Sequence, residues 1–274
     1  MAALNLIGAG HVGRVLGRLL AAQGGFHVQQ VLTRSAASAQ AAVDFIGSGV
    51  PVERYDQLQP ADLHVLAVGD DQIAAACAAL AQAVPLKGSI VFHCSGALAS
   101  GQLQAARDAG ALVASVHPIR SFADPVAVAA QFSGTFCGIE GDAAALAVLT
   151  PALQAIGAQP VPIDASAKTV YHAAAVFASN YLVTVLDAAL RAYMAAGIPE
   201  PVARQMAQPL AAESMANVFR LGAAAALSGP IARGDMATVE RQQRAVDQWD
   251  APTGDLYRAL VAPTADLARR KRQK

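Results

Sequence analysis

The feature that most constrains this chain is a glycine pattern close to its start. Gly8-Ala9-Gly10-His11-Val12-Gly13 follows the apolar run Leu4–Ile7 and opens an amphipathic stretch, Val12 to Ala22. A G-x-G-x-x-G pattern between a strand and a helix belongs to a βαβ unit whose helix N-terminus meets a phosphate. Gly8 permits the tight turn, Gly10 lets the backbone approach a pyrophosphate, and Gly13 allows helix and strand to pack closely. His11 and Val12 then sit in the first helical turn, where free N–H groups are offered. Further strand-like runs, Val28–Leu32, Leu63–Val68, Ser89–His93 and Leu112–His117, alternate with Ala-rich helical segments such as Gln72–Val84 and Ser100–Ala109. That alternation implies a mostly parallel sheet. Gly134–Ile139, a helix over Asp142–Ile156 and Gln159–Ile163 complete an α/β domain over residues 1–163.

After Asp164 the strand signals stop. Ser166–Ala196 reads as one long buried helix, ended by Gly197 with Pro199 beyond it. Pro201–Leu221, Met236–Trp249 and Thr253–Arg270 read as further helices. The expectation is a Rossmann-type α/β domain followed by an all-helical domain over residues 164–274.

Composition excludes several classes. Lys plus Arg and Asp plus Glu are 20 each, so the formal charge is zero, unlike a general nucleic-acid binder. Charged residues are only 15% and hydrophobic ones 54%, the reverse of a disordered chain. The N-terminus lacks the basic segment of a signal peptide. The uncharged stretch Thr169–Leu186 approaches membrane-spanning length, but His172, Ser179, Asn180 and Thr184 interrupt it. Cys77, Cys94 and Cys137 are odd in number and lack C-x-x-C spacing, which suggests neither a disulfide framework nor a metal site. A cytoplasmic protein is expected, without membrane or nucleic-acid partners. The closing run Arg269-Arg270-Lys271-Arg272 reads as a helix end complementing its dipole.

Cofactor choice is read at the end of the second strand. An NAD site usually places a carboxylate there for the ribose 2′-hydroxyl. Here stand Thr33-Arg34-Ser35. Arg34 can pair with a 2′-phosphate and Thr33 or Ser35 can donate to it, which favours NADP. Later strand ends add Val68-Gly69-Asp70-Asp71, His93-Cys94-Ser95-Gly96 and His117-Pro118-Ile119-Arg120-Ser121-Phe122. Val68 and Asp70 are candidates for the adenosine and ribose, and Ser95 for the nicotinamide ribose. Asp70 and Asp71 also suit a helix start, and either histidine a structural role.

For the chemistry, Lys168 and His172 share a helix face, with Ser179 two turns on and Asn180 on its flank. In an interdomain cleft Lys168 could act as the acid, His172 could relay the proton, and Asn180 would complete the set. The bland alternative is a snorkelling lysine and a locally bonded histidine. In Gly229-Pro230-Ile231-Ala232-Arg233-Gly234-Asp235, Arg233 could hold a substrate carboxylate, with Asp235 beside it or simply capping the next helix. His117 and Ser121 complete the substrate-binding candidates.

Together these motifs resemble bacterial Rossmann-like oxidoreductases whose helical C-terminal domain is family 2520 of the domains of unknown function. More distantly the layout resembles 6-phosphogluconate dehydrogenase-like proteins: β-hydroxyacid dehydrogenases, ketopantoate reductase, pyrroline-5-carboxylate reductase and deazaflavin-dependent NADP reductases. The resemblance implies a two-domain NADP-binding fold and a homodimer through the helical domains. β-Hydroxyacid dehydrogenases carry Lys-x-x-x-Asn on this helix, whereas here His172 follows Lys168 at the asparagine position. The function so implied is an NADP-dependent oxidoreductase moving hydride to or from a small carbonyl, hydroxy or imine substrate. The alternatives are a non-catalytic NADP(H)-binding sensor that docks a partner, and a deazaflavin-dependent NADP reductase.

Overall fold

A computed structural model describes residues 1–273. Its first compact unit is Met1–Ala178 and its second begins at Ser179. In the first, β1 (Ala2–Ile7) runs through the glycine turn into α1 (His11–Ala22), followed by β2 (Phe26–Leu32), α2 (Ala36–Ile46) and β3 (Val50–Val52). Next come β4 (Leu63–Leu66), α3 (Ile73–Ala83), β5 (Ile90–His93), α4 (Gln104–Asp108) and β6 (Leu112–Pro118). The unit is completed by α5 (Pro125–Ala130), β7 (Phe136–Gly141), α6 (Ala143–Ala155), β8 (Gln159–Pro162) and α7 (Lys168–Val176).

The eight strands form one sheet in the order β3-β2-β1-β4-β5-β6-β7-β8. Strands β1 to β6 are parallel; β7 is antiparallel to β6, and β8 runs parallel to β7. The central strands are buried along their length, Leu63–Leu66 and Ile90–His93 at every position, because helices cover both faces. One core, built on Leu4, Leu6, Leu16, Leu20, Val65 and Phe92, lies on one face. The other, built on Ile7, Leu66, Ile73, Leu80 and Val91, lies on the opposite face, as the alternation of side chains requires.

The second unit is helical: α8 (Leu182–Ala195), α9 (Glu200–Leu221), the short α10 (Ala223–Ala226) and α11 (Pro230–Arg233), then α12 (Met236–Trp249) and α13 (Ala251–Arg272). Helix α8 packs beside α9 and α12 beside α13. Arg191 of α8 reaches Asp250, the cap of α13, at 3.2 Å.

Three expectations need correction. The helix read as buried is exposed: among the described residues α8 has no buried side chain, and Val183 is 66% exposed. The run Ala165–Ala195 is long and apolar enough to cross a membrane by length and composition. It is also not uniform, since a π-helical turn at Phe177–Tyr181 separates α7 from α8. A wider turn adds residues without the usual angular advance, so Ser179 and Asn180 lose the helical phase that assigned them to the face of Lys168 and His172. Finally, α7 packs with the α/β unit, so the division into compact units falls at Ala178/Ser179 rather than after residue 163.

Candidate functional site

The glycine loop is built as its spacing implies. Gly8 adopts φ +83°, and a Cβ there would lie 2.7 Å from the Ala67 carbonyl oxygen. A Cβ at Gly13 would press against Ala67 Cβ at 2.9 Å, so its absence lets α1 pack on the sheet. Gly10 is different, for a Cβ there would meet nothing within 4 Å. Gly10 is also the N-cap of α1, with no side chain capping the helix and no acidic residue in its first turn. The first amides of α1, at His11 and Val12, are therefore left to an anionic ligand.

Two cavities flank this loop. One of about 730 Å³ is lined by Gly8, Thr33, Arg34, Tyr55, Val68 and Asp71, among others. It also includes Glu53, at the end of β3, a carboxylate that the second-strand pattern did not reveal. The other, of about 390 Å³, is bounded by Gly10, His11, Val12, Asp70, Ser95, Gly96, His117, Arg120, Phe122 and His172, with Cys94 and Pro118 also on its wall. Both lie at the carboxyl ends of the strands, where open α/β sheets bind ligands. All these lining residues belong to the first unit. The residues present fit a dinucleotide: bare helix amides at Gly10–Val12 for the pyrophosphate, and Arg34 beside Gly8 for the adenosine end.

Several candidates change role. Ser35 caps α2, accepting the Ser38 amide at 3.3 Å and donating to the Ser38 hydroxyl at 3.0 Å. The Thr33 hydroxyl donates to the Ser35 carbonyl at 2.9 Å. Ser121 does not line the cavity; its neighbours Arg120 and Phe122 do. His11 Nδ1 lies 2.6 Å from the Phe122 carbonyl and so donates to it, tying the glycine loop to the segment after β6. His93 is fully buried: Nδ1 accepts the Ser95 amide at 3.2 Å and Nε2 donates to the Ala99 carbonyl at 3.1 Å. It is a structural histidine. Asp70 and Asp71 open the short helical turn before α3, with one carboxylate on each cavity.

Lys168 is the largest departure. It is 2% exposed and lies beneath the Ser95–Gly96 turn, off the cavity wall. Its ammonium donates to the Ser95 carbonyl at 3.0 Å and to the Ser115 hydroxyl, and pairs with Glu140 at 3.8 Å. Two of the ammonium's donors are hydrogen-bonded and its charge is paired within the protein, so Lys168 is bound up beneath the turn rather than presented to the cavity. Glu140, 6% exposed, is held in turn by the Ser100 amide and hydroxyl, each at 2.7 Å. Burial lowers the Lys168 pKa, and Glu140 and Asp70 oppose that shift. Its role is to anchor α7 and the Ser95–Gly96 turn to the sheet. The Ser95 hydroxyl completes the turn by accepting the Ala97 and Leu98 amides at 3.1 and 3.0 Å.

His172, four residues on, does face the cavity. Its ring stands 5.5 Å from that of His117 in an edge-on contact. Gly96 makes room for the pair: a Cβ there would lie 2.7 Å from His117 Nε2 and closer still to His172 Cδ2. His117 Nδ1 is 2.8 Å from the hydroxyl of Tyr171, a residue to which no motif points. Burial, aided by His172 and Lys168 and opposed by Asp70, pushes His117 down to about 4. Cys94 is pushed up to about 12, chiefly by burial, so it remains a thiol rather than a nucleophilic thiolate.

In the second unit, Asp235 caps α12 through the Thr238 amide at 3.1 Å. Arg233 ends the short α11, and Asn180 lies within the π turn, its carbonyl accepting from Thr184 at 3.2 Å. None of the three lines either cavity.

Comparison with known proteins divides the chain earlier than the compact units do. Residues 2–118 match the model of a Rossmann-like domain, and residues 135–264 match a domain of unknown function, DUF2520. No curated protein matches the sequence. A Bacteroides fragilis protein to which an NADP oxidoreductase activity is ascribed superposes with a TM-score of 0.80 at 20% identity, over 97% of this chain and 98% of its own. A Thermotoga maritima protein gives a TM-score of 0.73 at 25% identity, over 98% and 99%. An imine reductase from Streptomyces aurantiacus gives 0.63 at 17% identity, over 99% and 100%. Residues 2–118 are thus similar to a Rossmann-like domain, and residues 135–264 to the domain of unknown function 2520.

Proposed function

We propose that this protein is an NADP-dependent oxidoreductase acting on a small carbonyl, hydroxy or imine compound. The observation that carries the reading is the pair of cavities on either side of one uncapped helix N-terminus, with Arg34 in one and two imidazoles in the other. When bound, the nicotinamide supplies or accepts the hydride. Gly10, His11 and Val12 bind the pyrophosphate through backbone amides, and Arg34 pairs with the 2′-phosphate. Glu53, in the same cavity, would disfavour that phosphate, so the preference for NADP rests on Arg34. His172 exchanges the proton with the substrate and His117 holds the substrate's polar atom. The reading is supported by the solved structures of similar fold that are described as an NADP oxidoreductase and an imine reductase.

Paired titrations of NADPH and NADH, followed by nicotinamide fluorescence, test it. Tighter NADPH binding that Arg34→Asp abolishes is expected; binding of neither nucleotide would overturn the reading.

We also propose that the helical unit pairs with a second copy of itself. Few of its apolar side chains are buried, whereas Val183, Leu210 and Phe219 are exposed, Phe219 by 90%. Between α8 and α9 an apolar groove of about 410 Å³ is lined by Leu186, Leu190, Ala207, Ala211 and Met215, among others. Exposed apolar surface of this kind marks an association site. Sedimentation equilibrium is expected to give a dimer that Phe219→Lys weakens; a monomer at all concentrations would refute the pairing.

A further inference from the structure

Tyr171 has no place in the motifs, yet it occupies a site shaped for it. In the antiparallel register of β6 and β7, His117 stands directly opposite Gly138. A Cβ at Gly138 would overlap the Tyr171 hydroxyl and lie 2.8 Å from its Cζ. The missing side chain is therefore the slot that admits the phenol, and the side chain of Ile163 closes it on another side. Within that slot the phenol oxygen meets His117 Nδ1 at 2.8 Å.

We infer that Tyr171 is a positioning residue for His117: its hydroxyl donates to Nδ1, which places the imidazole proton on Nε2 and presents that N–H to the oxygen or nitrogen of a carbonyl or imine substrate. This rests on the oxidoreductase reading above and deepens it.

The direction of the bond follows from counting donors. The half-buried phenol proton needs an acceptor, and Nδ1 is the acceptor within reach. Were Nδ1 protonated, it would donate to the phenol oxygen and the phenol's own proton would lose that acceptor. Burial also pushes the phenol up to about 12, which keeps it protonated and able to donate. The far side of the ring emerges where Gly96 lacks a side chain, beside His172.

Burial, with smaller contributions from His172 and Lys168 in the same direction and from Asp70 against it, keeps His117 neutral. It therefore acts as a fixed neutral donor. As hydride adds to the substrate carbon, the π pair moves onto oxygen or nitrogen, and the Nε2–H bond strengthens as that charge develops. The proton that completes the product comes from His172 in exchange with solvent. In the oxidative direction each movement reverses.

Long-range ¹H–¹⁵N NMR of the full chain labelled in histidine distinguishes the two tautomers directly. The His117 signals are assigned by their loss in His117→Gln. The expected result is an Nε2–H tautomer in the unaltered protein at pH 7, giving way in Tyr171→Phe to a mixed or Nδ1–H form with NADPH affinity retained. An Nδ1–H tautomer in the unaltered protein would overturn the inference, and this reading does not depend on the folding of Tyr171→Phe. An unchanged tautomer in a folded Tyr171→Phe would overturn it equally. With a turned-over carbonyl or imine, Tyr171→Phe is expected to lower kcat about 100-fold with KM little changed. Failure of NADPH to bind would instead count against the oxidoreductase reading while leaving the tautomer result standing.

Discussion

Lys168 and His172 are one helical turn apart on α7, yet they end on opposite sides of the Ser95–Gly96 turn. Beneath it, Lys168, Glu140, Ser115 and Ser100 form a buried set in which the ammonium is hydrogen-bonded and paired within the protein. Above it, His172, His117 and Tyr171 surround an opening that Gly96 keeps clear. The comparison separates two uses of polar side chains in an apolar setting. Those below are satisfied within the protein and hold its shape. Those above leave a nitrogen unspent for a ligand. A shared helix face indicates neighbourhood but does not distinguish the two, because the difference lies in which sheet residues stand opposite.

If that separation is right, changes below the turn lower stability and changes above it lower affinity or turnover. The largest effect is expected for Lys168→Met, which leaves the Glu140 carboxylate buried without its counter-charge and costs about 3–5 kcal/mol in denaturant unfolding. Lys168→Met combined with Glu140→Gln should recover much of that loss. A folded, fully stable Lys168→Met that binds NADPH but has lost turnover would return Lys168 to the cavity chemistry and break the comparison.

The next effect concerns another interior histidine. His64 is fully buried on β4 and is pushed down to about 4, with desolvation the leading cause. Its folded pKa lies below the unfolded value near 6.5, so the unfolded chain binds more protons between the two. Its contribution is complete above about pH 6.5 and is lost as pH falls towards 4, amounting to about 3 kcal/mol. His117 titrates in the same window and adds to the slope. Unfolding measured from pH 7 to pH 4 should show a shallower loss in His64→Leu; an unchanged slope would contradict the assignment.

On the cavity side, Arg34→Asp should weaken NADPH about 10- to 100-fold, as expected for a charge-assisted bond, with the melting temperature of the unliganded protein unaltered. A large fall in stability would place Arg34 with the structural set. The smallest effect is expected at Ser35, once a candidate for the phosphate. Ser35→Ala removes the cap of α2 and should cost about 1 kcal/mol of stability. A loss of NADPH affinity exceeding that of Arg34→Asp would restore its ligand role.

Much of the α/β unit was legible in the sequence. The strands of the central sheet are continuous apolar runs, because both faces are covered, and such runs stand out among Ala-rich helices. Strand β3, three residues centred on Pro51, and α2, whose buried stripe is Ala39, Ala42 and Ile46 in an Ala-rich segment, left no comparable signal. The glycine loop was legible in detail, since each glycine answers a local steric demand. Arg34, Val68 and Asp70 were placed on cavity walls by the rule that ligands gather at strand ends. Tyr171 and Glu53 were not, because their roles depend on what stands beside them: the bare Gly138 on β7 for one, the end of β2 for the other.

By itself the sequence determined a dinucleotide-type α/β fold, the helical region that follows it, and the loop and strand ends where a ligand would lie. These are set by short-range periodicity and by the steric needs of single residues. Tertiary structure alone decided that Lys168 is buried beneath the turn while His172 faces the cavity, and that His117 gains a phenol partner. Those outcomes depend on residues far apart in the chain, 73 positions for Lys168 with Ser95 and 54 for Tyr171 with His117. Desolvation and hydrogen-bond satisfaction are properties of the assembled neighbourhood, and no helical or strand period encodes them.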